Sequence, residues 1–367
     1  MIRYIAVDSG KQNTKVSEYY EGKDEIKSER FPTKIGKGTF EDDQMQRKTS
    51  IMSFNGKTFC IGSGGTVRAE HKTSKQSEVH LLTTLCAVAQ RCSDNEEDEV
   101  NIALGIPASE WAIVEKRNAL RDYLLPSGTI EVDIKTSSND TVHHKKFHFA
   151  TRKVYAESEG ALFLDDSQIV GYSKKQAAVI DIGGLNVNCT IWNELELDTE
   201  DSLTDELGGQ NLIRKISQRL SAEFSRVNEK DVLRILKESE KDMENRCLTA
   251  RHGNEDVKTR SREIIHDEII KHLEQIKSQC DAKQWSLDYI DLIFIGGTSG
   301  MLRNEIQEVF GNDVIIPPFP EFSNVLGFLH LLYACCQGKS IDLTGKLKAS
   351  EKRKANKESI EKKEQVA

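Results

Sequence analysis

The chain writes one short pattern twice. "AVDSGKQNTKV" covers residues 6–16 and "VIDIGGLNVNC" residues 179–189. Laid over each other, they match Asp8 with Asp181, Gly10 with Gly183, Asn13 with Asn186 and Lys15 with Asn188. Each copy has the form Asp-x-Gly-x-x-Asn. An apolar run ends in a carboxylate, turns at glycine and returns, which reads as strand, turn, strand. Repetition of such a unit points to a structural duplication. At 367 residues the chain has length for two domains, each with its own core. A duplication would set the two turns face to face across a cleft.

One Asp-x-Gly hairpin alone is an ordinary β-structure feature; the pair is what suggests chemistry. Glycine lets backbone N–H groups approach phosphate oxygens closely and form an anion-binding hollow. Two carboxylates there would repel a bare triphosphate, but they become useful if Mg²⁺, which prefers oxygen ligands, lies between. Lys15 then supplies positive charge to the β- and γ-phosphates. A third element, Gly296-Gly297-Thr298-Ser299-Gly300, follows the apolar strand 292–295 and precedes a helix. Backbone can pass close to a flat ligand or phosphate at such a turn, though a tight strand-to-helix connection has the same pattern. "IGSGGT" at 61–66 follows a hairpin without a βαβ context and reads as a structural turn. GxxxxGK[ST] does not occur, so a P-loop nucleotide site is not supported.

Composition limits the partners. Net charge is −8 and the pI is near 5.7, which argues against a broad nucleic-acid surface. Any link to DNA would pass through another protein. No apolar run approaches the ~20 residues of a membrane span, and Asp8 cuts the N-terminal apolar run too early for a signal peptide. The eight cysteines show no CxxC or metal-site spacing and read as buried thiols in a reducing cytoplasm. His143, His144 and His148 tempt a metal reading, but neighbouring residues of a strand point to opposite faces.

A coarse pass gives strands at 2–8 and 14–19, polar loops with short strands over 21–50, and a hairpin at 51–61 turning on Asn55-Gly56. A helix is expected around 77–92 and a solvated acidic loop at 94–99. Strand, Gly105-Ile106-Pro107 turn and helix fill 100–125, and a hairpin around Ser138-Asn139-Asp140 fills 129–150. A short helix at 153–164 precedes the second copy of the repeat, and 205–280 is mostly helical. Residues 346–367 are almost all Lys, Glu, Ala, Ser and Asn, so that tail is expected to be disordered or a loose helix.

With these pieces in order, the sequence resembles the actin-like ATPase superfamily, and within it the bacterial ParM/StbA-type plasmid-segregation proteins, over most of residues 2–336. "AVDSGKQNTKV" resembles phosphate motif 1, "VIDIGGLNVN" phosphate motif 2 and "IFIGGTSGML" the adenosine motif. "VYAESEGALF" and "PEFSNVLGFLHLL" resemble the two connecting segments that hinge the domains, and "LGIPASEW" a strand running into a proline-started helix of the ParM type. The resemblance implies an α/β, actin-like (ribonuclease H-like, duplicated) two-domain ATPase fold with a nucleotide cleft between the domains. Domain I would span 1–165, with a C-terminal helix at about 323–345 packing back on it. Domain II would span 166–322.

By the same resemblance the ligands are ATP, with GTP an open alternative, and Mg²⁺. Asp8 and Asp181 would hold the metal. Ser9, Gly10, Asn13, Thr14, Lys15, Gly183, Gly184, Asn186, Gly208, Gly209, Gly296, Gly297 and Thr298 would surround the nucleotide. Glu157 and Asp181 would be catalytic, Glu157 orienting the attacking water, with Glu159 as its neighbouring competitor. Two residues depart from the pattern: Asn188 stands where many relatives carry an acid or small hydroxyl, and Ala156 where a proline is common. Implied partners are further copies of the chain, in filaments, and a small ParR-like DNA-binding adaptor at a plasmid centromere. Direct nucleic-acid or membrane binding is not expected, and the location would be cytoplasmic. The alternative is a sugar or small-molecule kinase, or a chaperone-like ATPase, that shares the fold and does not polymerise.

Overall fold

The computed structural model describes residues 1–42, 44–70, 74–164, 171–239, 243–249, 254–343 and 346. It divides the chain into two units, Met1–Gly171 with the residues from Asn324 on, and Tyr172–Ser323.

The first unit is built on β1 (Ile2–Ser9), β2 (Asn13–Tyr20), β3 (Glu25–Pro32), β4 (Lys34–Lys37), β5 (Thr49–Phe54), β6 (Lys57–Gly62), β7 (Val67–Arg68), β8 (Glu97–Ile106), β9 (Thr129–Thr136) and β10 (Asn139–Ala156). They form a 10-stranded sheet in the order β3-β2-β1-β8-β10-β9-β5-β6-β4-β7. Strand β8 runs parallel to both its neighbours, β1 and β10. Its run from Val100 to Ile106 is buried throughout, as a strand covered on both faces must be. Helix α1 (Glu78–Ala89) brings Leu82, Leu85, Cys86 and Ala89 into one core with Ile5, Val7 and Val16 of the first hairpin. Asn55 and Gly56 both take left-handed φ, 50° and 72°, joining β5 to β6 through the tight turn expected there.

Three local expectations give way. Residues 153–156 continue β10 instead of opening a helix, because Lys153–Ala156 complete the parallel ladder to β8. The chain then makes a 3-10 turn, Glu159–Phe163. Half of the acidic run is strand: Asp98 is fully buried, where it pairs with Arg3 at 3.2 Å and the N-terminal amine at 2.9 Å. Within 21–50 the strands are longer than expected, because β3 extends the first hairpin by eight residues. Helices α2 (Ala108–Trp111) and α3 (Val114–Leu124) follow β8.

The second unit holds β11 (Gln176–Ile182), β12 (Val187–Asn193), β13 (Glu196–Asp205) and β14 (Asp291–Ile295), in the order β13-β12-β11-β14. Strand β11 is antiparallel to β12 and parallel to β14. That is the local order β3-β2-β1-β8 over again, so the sequence repeat is a repeat of topology. Helices α4 (Gly209–Phe224), α5 (Glu229–Glu238), α6 (Glu255–Ala282), α7 (Gly297–Met301) and α8 (Arg303–Phe310) complete it. Leu212, Ile216 and Leu220 of α4 meet Ile265, Ile269, Leu273 and Ile276 of α6 in its core, each stripe at helical spacing.

Helix α9 (Ser323–Gln337) packs on the first unit. Tyr333 lies edge-on to Tyr4 and Tyr19 with ring centres 5.0 and 4.9 Å away, and Phe328 stacks on Tyr155. The helix stops at Gln337, before the left-handed Gly338, short of the expected 345. Of the charged tail only Lys346 is among the described residues.

Candidate functional site

In the first unit the turn between β1 and β2 sorts its side chains by strand alternation. Asp8 sits opposite Lys15 in the antiparallel register and Ser9 opposite Thr14, so the two pairs face opposite sides of the sheet. On the outer side of the turn Lys15 Nζ lies 3.2 Å from Asp8 Oδ2. On the other, Ser9 and Thr14 are buried in a hydroxyl network: Ser9 Oγ is 2.9 Å from Thr83 Oγ1, and Thr14 Oγ1 is 2.9 Å from Thr33 Oγ1. Thr33 Oγ1 donates to the carbonyl of Gly10, fixing the turn from behind. The side chains of Ser9 and Thr14 therefore serve the fold, while Gly10 and Asn13 are partly exposed on the turn.

Glu157 joins Asp8 and Lys15 through a residue that sequence reasoning missed. Lys75 lies just before α1, and its Nζ reaches Asp8 Oδ1 at 3.2 Å, the carbonyl of Gly105 at 2.9 Å and Glu157 Oε1 at 2.5 Å. It is 5% exposed. Burial works against a charged Asp8, but Lys15 and Lys75 outweigh it and pull the carboxyl down to about 2. Burial likewise opposes the Lys75 charge, and Glu157 and Asp8 hold its ammonium above the ordinary lysine value. Nothing in "TSKQSEV" marks Lys75: it is one lysine in a polar stretch, and only the fold brings it under Asp8.

Glu157 stands where β10 ends. Its N–H donates to Ile106 O at 2.7 Å, and the next residue, Ser158, takes φ +81° with its N–H donating to Asn324 Oδ1 at 3.0 Å. Glu159 turns elsewhere, accepting from the Ala156 N–H at 2.9 Å. A Cβ on Gly160 would lie 2.4 Å from Asn324 O, and one on Gly327 would lie 1.9 Å from Gly160 O, so the 3-10 turn and the start of α9 meet backbone to backbone.

In the second unit the β11–β12 turn repeats the first. Asp181 pairs with Asn188 as Asp8 does with Lys15, but Asn188 carries no charge and its Oδ1 accepts from Thr204 Oγ1 at 2.9 Å. A Cβ at Gly183 would meet Asn186 O at 3.0 Å, and one at Gly10 would meet Asn13 O at 3.0 Å. Gly209 N donates to Gly183 O, Gln210 N to Gly184 O, and Thr298 Oγ1 to Gly183 O at 3.1 Å. Gly208 packs on the backbone of Leu185 and Asn186, Gly209 on Thr298, and Gly296, at φ +92°, on Asp181 and Ile182. Asp181, Gly183, Gly184, Asn186, Gly208, Gly209, Gly296 and Thr298 are thus one cluster, packed so closely at Gly208, Gly209 and Gly296 that a side chain there would collide. Gly297 stands apart: a Cβ there would meet nothing nearer than the Glu321 side chain at 3.9 Å.

The three histidines each pair with a different acid, His143 with Asp94, His144 with Asp133 and His148 with Glu97, all at 2.9 Å. A cavity of about 410 Å³ lined by Lys175, Gln176, Asn193, Glu194 and Glu196 lies at the far end of the β11–β12 hairpin from its glycine turn. Among the described residues no helix is long and apolar enough to cross a membrane.

The donor set around the Lys75 ammonium is two carboxylates and a backbone carbonyl, an all-oxygen set of the kind a hard divalent cation takes. The residues present here therefore fit a hard divalent cation such as Mg²⁺.

Residues 6–160 match the family described as "Actin like proteins N terminal domain". Among curated proteins, none matches the chain by sequence. Solved structures share its fold. The Alp12 filament is 22% identical, with a TM-score of 0.68 over 91% of this chain and 99% of that one. The archaeal actin homolog Ta0583 is 18% identical with a TM-score of 0.71, over 91% and 99%. The apo psk41 ParM protein is 16% identical with a TM-score of 0.67, over 92% and 98%. Residues 6–160 are thus similar to the N-terminal domain of actin-like proteins, and the chain as a whole shares the fold of these ParM, Alp and archaeal actin structures.

Proposed function

We propose that this chain binds ATP with Mg²⁺, hydrolyses it, and assembles into filaments that move plasmid DNA through a small ParR-like DNA-binding adaptor. The observation that carries the reading is the buried cluster of Asp8, Lys15, Lys75 and Glu157 at a glycine turn, together with the second copy of that turn at Asp181. A structural ion pair has no need of a glycine hollow beside it, and a phosphate does. The filament half of the reading rests on likeness in fold to the Alp12 filament.

Each residue has a task its position allows. Lys15, on the same face as Asp8, holds phosphate charge. Backbone at Gly10 and Gly183 approaches phosphate oxygens as only glycine permits. Asp8 and Asp181 hold the metal's shell. Mg²⁺, when bound, neutralises charge on the transferring phosphoryl group. Glu157 orients the water and takes up its proton. Gly208, Gly209, Gly296 and Thr298 give the second turn its rigid backing. The base is taken to be adenine, and GTP is the comparison nucleotide.

Light scattering after addition of ATP, against ADP, GTP and a panel of sugars, tests the reading. A rise with triphosphate that decays as phosphate is released supports it. Turnover that depends on a sugar, with no scattering, would move the chain to the kinases of this fold.

A further inference from the structure

Lys75 is the one residue of the cluster that the sequence did not mark, and its surroundings are unusual for a lysine. Lysines are almost never fully buried unless paired. This one is 5% exposed, and its ammonium is enclosed by Asp8 Oδ1, Glu157 Oε1 and the Gly105 carbonyl. Both oxygens of Asp8 are occupied, one by Lys75 and the other by Lys15. Among the described residues, the Glu157 carboxylate has one charged partner, Lys75. Its backbone is pinned by Ile106 and, one residue on, by Asn324, so the lysine is what decides where the carboxylate at its tip lies.

Stability is a weak reason for this arrangement, since a buried ion pair roughly breaks even against apolar residues of the same volume. The charge count is more telling. Asp8 and Glu157 are balanced by Lys15 and Lys75, so the acids stay side by side without a metal.

We propose that Lys75 is a positioning residue: its ammonium fixes the Glu157 carboxylate beside Asp8 and serves as the tethered counter-charge of the acid pair until a divalent cation arrives. This rests on the ATPase reading for its purpose, and on the cluster alone for its geometry. Lys75 acts through Glu157; the phosphate is left to Lys15.

Two measurements on the full chain test it. The first uses no nucleotide. Lys75→Gln keeps a donor for the Gly105 carbonyl but removes the tethered charge, so Mg²⁺ alone should raise the variant's melting temperature at concentrations about tenfold lower than wild type needs. Equal responses of the two proteins to MgCl₂ overturn the proposal. The second compares Glu157→Gln with the double variant Lys75→Met/Glu157→Gln, which keeps the local charge balanced and so guards against misfolding. If Lys75 works through Glu157, the two should turn ATP over within about twofold of each other, with similar affinity for a fluorescent ATP analogue. A further loss of about tenfold in the double variant would mean that Lys75 acts on its own, which also overturns the proposal. Should wild type show no ATP turnover, the function proposed above fails, and the MgCl₂ titration decides on Lys75 by itself.

Discussion

Glu157 and Glu159 stand two residues apart, and a single substitution separates their roles. Glu157 meets Lys75 at 2.5 Å, whereas Glu159 folds back on the chain and accepts from Ala156 N–H. Burial pushes the Glu159 carboxyl from 4.5 up to about 7, against the pull of that N–H. The folded protein therefore keeps a proton that the unfolded chain releases. Between about pH 4.5 and 7 the folded state binds more protons, and stability falls as pH rises through that window. A full displacement from 4.5 to about 7 corresponds to about 3 kcal/mol at 1.36 kcal/mol per pH unit. Glu159 is partly exposed, so solvent screening brings the expected figure to about 2 kcal/mol at pH 8. Glu159→Gln keeps an oxygen for the Ala156 N–H and cannot ionise. Chemical denaturation without nucleotide, from pH 5 to pH 8, should show wild type losing stability and the variant nearly level. At pH 8 the variant should be the more stable, and its ATP turnover should stay close to wild type. Glu157→Gln should do the opposite, slowing turnover by about 10²-fold or more. Parallel pH curves for wild type and Glu159→Gln, or a turnover defect in Glu159→Gln as large as that in Glu157→Gln, would refute the assignment.

Gly296→Ala would place a Cβ 2.4 Å from Asp181 Oδ1 and 2.5 Å from Ile182 O at φ +92°, costing about 2–4 kcal/mol in urea unfolding and weakening nucleotide affinity. Gly22→Ala, with nothing within 4 Å, is the control and should stay within about 0.5 kcal/mol. Asp181→Ala should cut phosphate release while largely keeping nucleotide binding, read by a phosphate-release assay beside fluorescent-nucleotide titration. Arg246 is buried with Glu305 and donates to Met301 O at 2.7 Å, just past the glycine turn. Arg246→Met leaves that glutamate unpaired and should cost about 3–5 kcal/mol, much of it recovered when Glu305→Met is added, as thermal unfolding would show.

The parts of this molecule that could be read from the sequence are those where a local rule and the fold ask for the same residue. Both glycine turns are of this kind: a side chain at Gly10 or Gly183 would crowd the turn's own carbonyl at 3.0 Å, so the pattern survives in one dimension. Asn55-Gly56 is another, since φ > 0 at both central positions selects that pair. Where tertiary contact overrode local preference, the reading failed. "KVYA" has residues a helix accepts, yet the ladder to β8 takes them as strand. The acidic run reads as solvated, yet Asp98 is the buried anchor of Arg3 and the N-terminal amine. Ser9 and Thr14 are expected around the nucleotide, and strand alternation turns their hydroxyls inward to Thr83 and Thr33.

Lys75 shows why a site can be half legible. Asp8 and Lys15 face each other through hairpin register, a relation of seven residues that sequence displays openly. Glu157 and Lys75 reach the same spot from the end of a long strand and from a polar loop, and neither position has a periodicity that predicts it. A lysine brought there by loop geometry carries a desolvation cost that only its two acids offset. That makes the acids and the lysine one unit: altering any of them changes the charge the others must bear. The sequence named three of its four members, Asp8, Lys15 and Glu157. The fourth supplies the reason why Glu157, and not Glu159, points at Asp8 and the β1–β2 turn: a carboxylate so little exposed goes where a cation waits for it.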